Sequence, residues 1–294
     1  MFPRVAQATF KGLLQWPDLL AFGLLSFALS LGLNAVFEPF WIDYASRAAS
    51  ADGSVSILPG LFGLFAQQFI LTAGSIAIAV AAARVILARL SGGTLSVLDG
   101  LRLTPFLRPI LTYALLFAAL TTAVLFAYLV FLLGGDALSY GRNLTMTGPT
   151  GLTQVPTALN PGAAGLLLLI FFPLLGVWTF ANFLVPPVIA AEQSGGWRAI
   201  FRSGSLVRRS LSVAVGLIVT VFAFSCVLAL VLSFLMVSSM DAITLQQMSE
   251  NPSLTLPDLP LVMQAGLTAL LFIVGSIFTT AWYMAAAEDE ALTR

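Results

Sequence analysis

The chain has 294 residues, 59% of them apolar and 9% charged, with thirteen basic side chains balanced by thirteen acidic ones. Soluble domains run at roughly 45–50% apolar and about 25% charged, so water is not the main solvent of this protein. There is no histidine, one cysteine (Cys226) and one lysine (Lys11), which excludes histidine-ligated haem, most zinc sites, histidine general bases, internal disulfides and a mid-membrane lysine Schiff base.

The first seventeen residues, MFPRVAQATFKGLLQWP, place Arg4, Gln7, Lys11 and Gln15 at helical spacing, with Phe2, Val5, Phe10, Leu13 and Leu14 elsewhere around the wheel. This pattern predicts an amphipathic interfacial helix over 1–17, ahead of a membrane domain over 18–294. No small-residue cleavage site follows the first apolar run, so that run is expected to persist as a span. Runs of about 20 apolar residues, the length needed to cross a hydrocarbon core of about 30 Å, then predict six helices near 18–40, 60–88, 109–133, 164–191, 211–237 and 262–287. The fold class is therefore all-α, a polytopic integral membrane helical bundle.

Basic residues orient it. With residue 1 inside, eleven of the thirteen are cytoplasmic and only Arg47 and Arg142 fall outside, a decisive bias under the positive-inside rule. Both ends are thus expected in the cytoplasm. Trp16, Trp197, Trp282 and Tyr283 fall at the inner boundary, and Trp41 and Tyr44 at the outer one, as an interfacial aromatic belt would. Twelve arginines to one lysine, in an alanine-rich chain, suggest a prokaryotic cytoplasmic membrane.

Within the spans, Gly23, Ser26 and Ser30, and Gly74, Ala77 and Ala81, form small-residue faces that admit close helix contact. Asn34, Glu38, Gln67 and Gln68 lie at similar outer depth, where they either converge on an outward polar cluster or join helices by hydrogen bonds. VILARLSGG at 85–93 aligns with VIAAEQSGG at 188–196 at six of nine positions. Both end a descending span, so spans 2–3 and 4–5 read as a parallel hairpin repeat. In the fourth span Pro173, Pro186 and Pro187 predict weak points, with a kink around 182–185. A bent helix fitted to its bundle and a broken helix that forms a substrate site are the two readings.

After that span, Arg198, Arg202, Ser205 and Arg209 follow i, i+4, i+7 and i+11, with Arg208 to one side. On a helix they make a basic stripe, while Trp197, Ile200 and Phe201 are free to enter the acyl boundary. The stripe either binds anionic lipid headgroups or only holds the loop inside.

The stretch VPPVIAAEQSGGWRAIFRSGSLVRRSLS resembles the six-span family related to the membrane domain of glycerophosphodiester phosphodiesterases, in which a proline-containing span ends in a glutamate and an Arg-Ser pair opens the next helix about ten residues on. Pro186, Pro187, Glu192, Arg202 and Ser203 occupy those positions here, and LLQWPDLL before the first span is similar too. Members are mostly of unknown function. The fused hydrolase domain of the namesake branch is absent, so the resemblance implies no catalytic residue.

The sequence carries no nucleotide motif, no catalytic constellation, no metal-ligand set and no cofactor site. It reads as a non-enzymatic accessory, scaffold or lipid-organising protein, with membrane lipids, a partner membrane protein or a second copy of itself as partner, and not nucleic acid. The competing reading is a transporter or permease for a small solute or lipid, which the repeat and the proline break support and the lack of a mid-depth charge opposes. An intramembrane lipid enzyme is the weakest reading, since its acid-base groups would have to be Glu38, Asp99 or Glu192, all near an interface.

Overall fold

The computed structural model describes residues 1–50, 57–140, 178, 181–216 and 261–293. Among them every regular element is helical: α1 Phe2–Gln15, α2 Leu20–Ser50, α3 Ile57–Leu90, α4 Val97–Gly100, α5 Leu107–Tyr140, α6 Val185–Glu192, α7 Trp197–Arg209 and α8 Leu261–Thr293. Four segments are long and apolar enough to cross a membrane: Pro17–Tyr44, Leu58–Leu90, Val97–Val124 and Ala265–Leu292. They coincide with the first, second, third and sixth expected spans. Most of the fourth and fifth, including Pro173 and Cys226, lies outside the described residues.

Helix α3 is central, packed against α2, α5, α6 and α8. Lipid tails are as apolar as leucine, so these contacts rest on close dispersion packing rather than on escape from water. Small residues permit it. A Cβ on Gly23 would stand 2.5 Å from the backbone of Ala269, so α2 and α8 meet almost backbone to backbone. Gly74 likewise admits Leu29 of α2 into α3. The fully buried core is formed by side chains such as Phe22, Val80, Val85, Ile86, Leu184 and Trp282.

Helix α2 runs ten residues beyond the expected end of the first span. Pro39 removes one ladder hydrogen bond, but Phe40, Trp41 and Tyr44 form an aromatic trio with ring centroids 5.1–6.3 Å apart. Gly60 and Gly63 of α3 leave the space in which Tyr44 and Phe40 sit. Packing over those two glycines carries the helix past its proline.

Helix α1 ends at Trp16 because Pro17 cannot continue it. It is docked on α8: Val5, Thr9 and Gly12 are buried, Phe2 lies 6.3 Å from Phe278, and Gly12 makes room for Ile277. Its exposed side combines Arg4, Gln7 and Lys11 with Phe10 and Leu14.

The two SGG segments both terminate helices, but by different geometry. In the first, the left-handed residue is Gly92 (φ 81°). In the second they are Gln193 (φ 51°) and Gly196 (φ 56°), which align with Leu90 and Gly93. Gly195 is required for another reason: a Cβ there would come within 2.5 Å of Pro109 of α5. Two aromatic expectations also change. Trp282 is completely buried and Tyr283 nearly so, so neither belongs to a lipid-facing belt. The indole N–H of Trp282 donates to Ser210 Oγ at 2.6 Å, which makes this residue a bolt between α8 and the end of α7.

Candidate functional site

The junction of α6, α7 and the last turns of α8 begins at the paired prolines. Neither Pro186 nor Pro187 has a backbone N–H. The Phe183 carbonyl therefore lacks both its i+3 and its i+4 helical donor, while the Val188 amide is spent on the Leu184 carbonyl at 3.1 Å. The chain turns at Phe183 and Leu184 and restarts as α6, so the break falls where the prolines predict it. The fully buried Leu184 amide finds a partner from outside its own helix: it donates to Ser203 Oγ of α7 at 3.0 Å. Asn182, just ahead of the break, accepts from the Tyr113 hydroxyl at 2.9 Å and donates to the Trp178 carbonyl at 2.6 Å.

Helix α6 ends in Glu192, whose Oε1 accepts from Arg202 Nε at 3.0 Å and from the Tyr283 hydroxyl at 3.0 Å. Arg202 Nη1 reaches on to Glu290 Oε2 at 2.6 Å, and Arg209 Nη1 meets Glu290 Oε1 at 3.2 Å. A single guanidinium thus bridges carboxylates on two helices. The forked donor set of arginine permits this and the point charge of lysine does not. Burial works against the Arg202 cation, but its hydrogen bonds and charge interactions with Glu192 and Glu290 more than offset that and hold its pKa above the ordinary value. The Glu290 side chain is 6% exposed against 58% for Arg209, so the inner half of this lock is where loss of a partner costs most.

The five residues that carried the family resemblance therefore form one connected unit. The prolines break the span, Ser203 satisfies the amide at the break, and Glu192 and Arg202 fix the angle between α6 and α7. Two partners were missed in the sequence, Tyr283 and Glu290. The acidic trio Glu288-Asp289-Glu290, ending the last span opposite an arginine-rich hairpin, was the available signal. Removing the hydroxyl in Ser203→Ala leaves the Leu184 amide buried without its partner and should cost about 1–3 kcal/mol, read as a fall in thermal midpoint in detergent. A shift no larger than that of Ser205→Ala, on the exposed side of α7, would show that the bond is dispensable.

The four predicted headgroup arginines separate. Arg202 and Arg209 are engaged by carboxylates, whereas Arg198 and Arg208 are exposed, with no ion pair among the described residues. Ile200, expected at the acyl boundary, is instead 4% exposed and shares the inward side of α7 with Ala199, Ser203 and Val207. Trp197 and Phe201 do face outward, 48% and 71% exposed, with rings stacked 5.8 Å apart.

Other arginines from the positive-inside count also hold protein partners. Arg84 donates to the carbonyls of Gly100 and Arg102, each at 2.8 Å, and lies 4.7 Å over the Phe106 ring, closing the end of α4. Arg89 forms a bidentate pair with Asp18 at the foot of α2. Ser96 caps α4 by accepting from the Asp99 amide at 3.1 Å.

At the opposite end of α2, Asn34, Glu38 and Gln67 line one groove together with Trp41 and Ile42. Gln68 does not line it. A second cavity, of about 270 Å³, lies against the proline break and is lined by residues including Phe183, Pro186, Gly275, Ser276 and Thr279. Among the described residues no three His, Cys, Asp or Glu side chains gather as a metal ion requires. Set against known proteins, the chain matches no family model, no curated protein and no solved structure.

Proposed function

We propose that the chain is a non-enzymatic, six-span accessory or lipid-organising protein of a prokaryotic cytoplasmic membrane, with both ends cytoplasmic. In this reading the segments 164–191 and 211–237 complete the bundle as spans 4 and 5. The hairpin repeat is an inherited duplication, and its second copy presents α7 to anionic headgroups. The resemblance to the glycerophosphodiesterase-related six-span family supports it through Pro186, Pro187, Glu192, Arg202 and Ser203.

The observation that carries the proposal is the two-sidedness of α7. Its inward residues are clamped by the Glu192–Arg202–Glu290 lock, and its outward face joins Trp197 and Phe201 to Arg198 and Arg208. Aromatic rings seated at the acyl boundary beside free cations are the two halves of an interfacial anchor. Two such arginines contribute on the order of 2 kcal/mol at an anionic surface, about 1 kcal/mol each.

The test is retention of anionic lipid by native mass spectrometry, comparing wild type with Arg198→Gln/Arg208→Gln. Topology is first established in a Cys226→Ala background: a cysteine at 145 should label from outside and one at 204 only after the membrane is opened. Retention should fall by about 30-fold, the ratio that 2 kcal/mol represents. Unchanged retention would leave these arginines with the positive-inside role alone.

The competing transporter reading draws on the cavity beside the proline break, where the Phe183 carbonyl lacks helical donors. Broken helices with freed carbonyls are how some transporters build their sites.

A further inference from the structure

The groove at the far end of α2 and α3 has a composition that neither α7 nor the proline break explains. Asn34, Glu38, Trp41 and Ile42 follow i, i+4, i+7 and i+8 on α2 and so share one face, and Gln67 of α3 forms the opposite wall. Glu38 lies eighteen residues beyond Leu20 in α2, about 27 Å along the axis at 1.5 Å per residue. The hydrocarbon core is about 30 Å thick, so the carboxylate stands at its far edge.

An ionised group at that depth is expensive without a partner, yet among the described residues no cation pairs with Glu38. Asn34 offers a side-chain carbonyl one turn below. Pro39 withdraws the helical donor from the Ala35 carbonyl on the adjoining turn, leaving a further acceptor. The Trp41 indole attracts cations over its face. The wall opposite has the reverse polarity. Indole N–H can only donate, so the Gln67 atom that it meets at 2.7 Å is the amide oxygen, which leaves the amide nitrogen with its two N–H donors for other partners.

We infer that this groove binds the headgroup of a membrane lipid that carries both a primary ammonium and a phosphate, the ammonium held by Glu38, Asn34 and the Trp41 ring and the phosphate by the Gln67 amide. The chemistry is that of phosphoethanolamine. The lipid is the source because Glu38 stands at the hydrocarbon edge and Leu31, two turns deeper on the same face of α2 and 39% exposed, continues the groove towards the depth of the acyl chains. This site is separate from the α7 face.

The full chain is placed in nanodiscs of phosphatidylethanolamine and phosphatidylglycerol with identical acyl chains at equal amounts, and the lipids retained on ejection are counted by native mass spectrometry. Wild type should retain the ethanolamine lipid several-fold over its share through this site, Glu38→Gln should lose that preference, and Arg198→Gln/Arg208→Gln should keep it while losing phosphatidylglycerol. Asn34→Leu, which keeps the charge and removes one acceptor, should give an intermediate preference. Phosphatidylcholine, whose quaternary ammonium cannot donate hydrogen bonds, should be retained less than phosphatidylethanolamine. Equal retention of the two lipids by wild type, or an unchanged preference in Glu38→Gln, overturns the inference. Displacement of the lipid by millimolar soluble phosphoethanolamine would overturn its assignment to a lipid source.

Discussion

Gly23→Leu should destabilise the bundle by about 3 kcal/mol, at the upper end of the range for overpacked cores. Even the first carbon of the new side chain would stand 2.5 Å from the Cα and the carbonyl oxygen of Ala269, and backbone atoms cannot rotate away as the tip of a side chain can. The axes of α2 and α8 must therefore separate. Dispersion weakens steeply with even a 0.5–1 Å gap, so the whole contact suffers. Gly275→Ala, on α8 itself, is the control: among the described residues a Cβ there meets nothing within 4 Å. It should be neutral, or stabilising by a few tenths of a kcal/mol through helix propensity. Thermal unfolding of the two variants in the same detergent compares them. A Gly23→Leu protein as stable as Gly275→Ala would show that the two helices do not meet at this point.

Arg202→Met should be comparably severe, about 3 kcal/mol, at the lower end for breaking a buried ion pair because Arg202 and Glu192 are each about one-third exposed. It takes one guanidinium from the buried Glu290 carboxylate, which keeps Arg209, and leaves Glu192 with the Tyr283 hydroxyl. Arg202→Lys keeps the charge but cannot hold both carboxylates in one plane, so an intermediate loss is expected. A double-mutant cycle with Glu290→Gln should give a coupling energy of about 1–3 kcal/mol. Coupling within about 0.5 kcal/mol of zero would mean that the lock is an ordinary surface network, and that some other contact holds α7 against α8.

The Arg202 lock also decides how α7 is presented. Arg202 and Ser203 turn inward to the acid cluster and the proline break, which fixes the rotation of α7 and leaves Trp197, Phe201, Arg198 and Arg208 on the outside. A looser lock would let the helix roll and mix the two faces. On the proposed function, Arg202→Met should therefore also weaken anionic-lipid retention indirectly, whereas Arg198→Gln/Arg208→Gln should weaken it without loss of stability.

The sequence by itself determined the solvent, the helical class and the positions of four long apolar helices, because each depends only on a local run of apolar residues about twenty long. It also located the proline break, since the missing amides of Pro186 and Pro187 are a covalent fact. Small-residue contacts at Gly23 and Gly74 were legible for the same reason: few residue types let membrane helices touch. What only the tertiary structure decided was the pairing of groups far apart in the chain. Four arginines on one stripe look equivalent along the sequence. Yet Arg202 and Arg209 are claimed by Glu290, some ninety and eighty residues away, while Arg198 and Arg208 are not. Trp282 has the amphipathic ring of a boundary residue, but Ser210 sits where its N–H points, so it became a core bolt. Ile200 was assigned to lipid from its hydrophobicity, and the rotation of α7 buried it. In lipid an apolar side chain is equally at home on either side of a helix. The side that faces inward is chosen by the few polar contacts that fix the helix's rotation, and their partners lie on other helices.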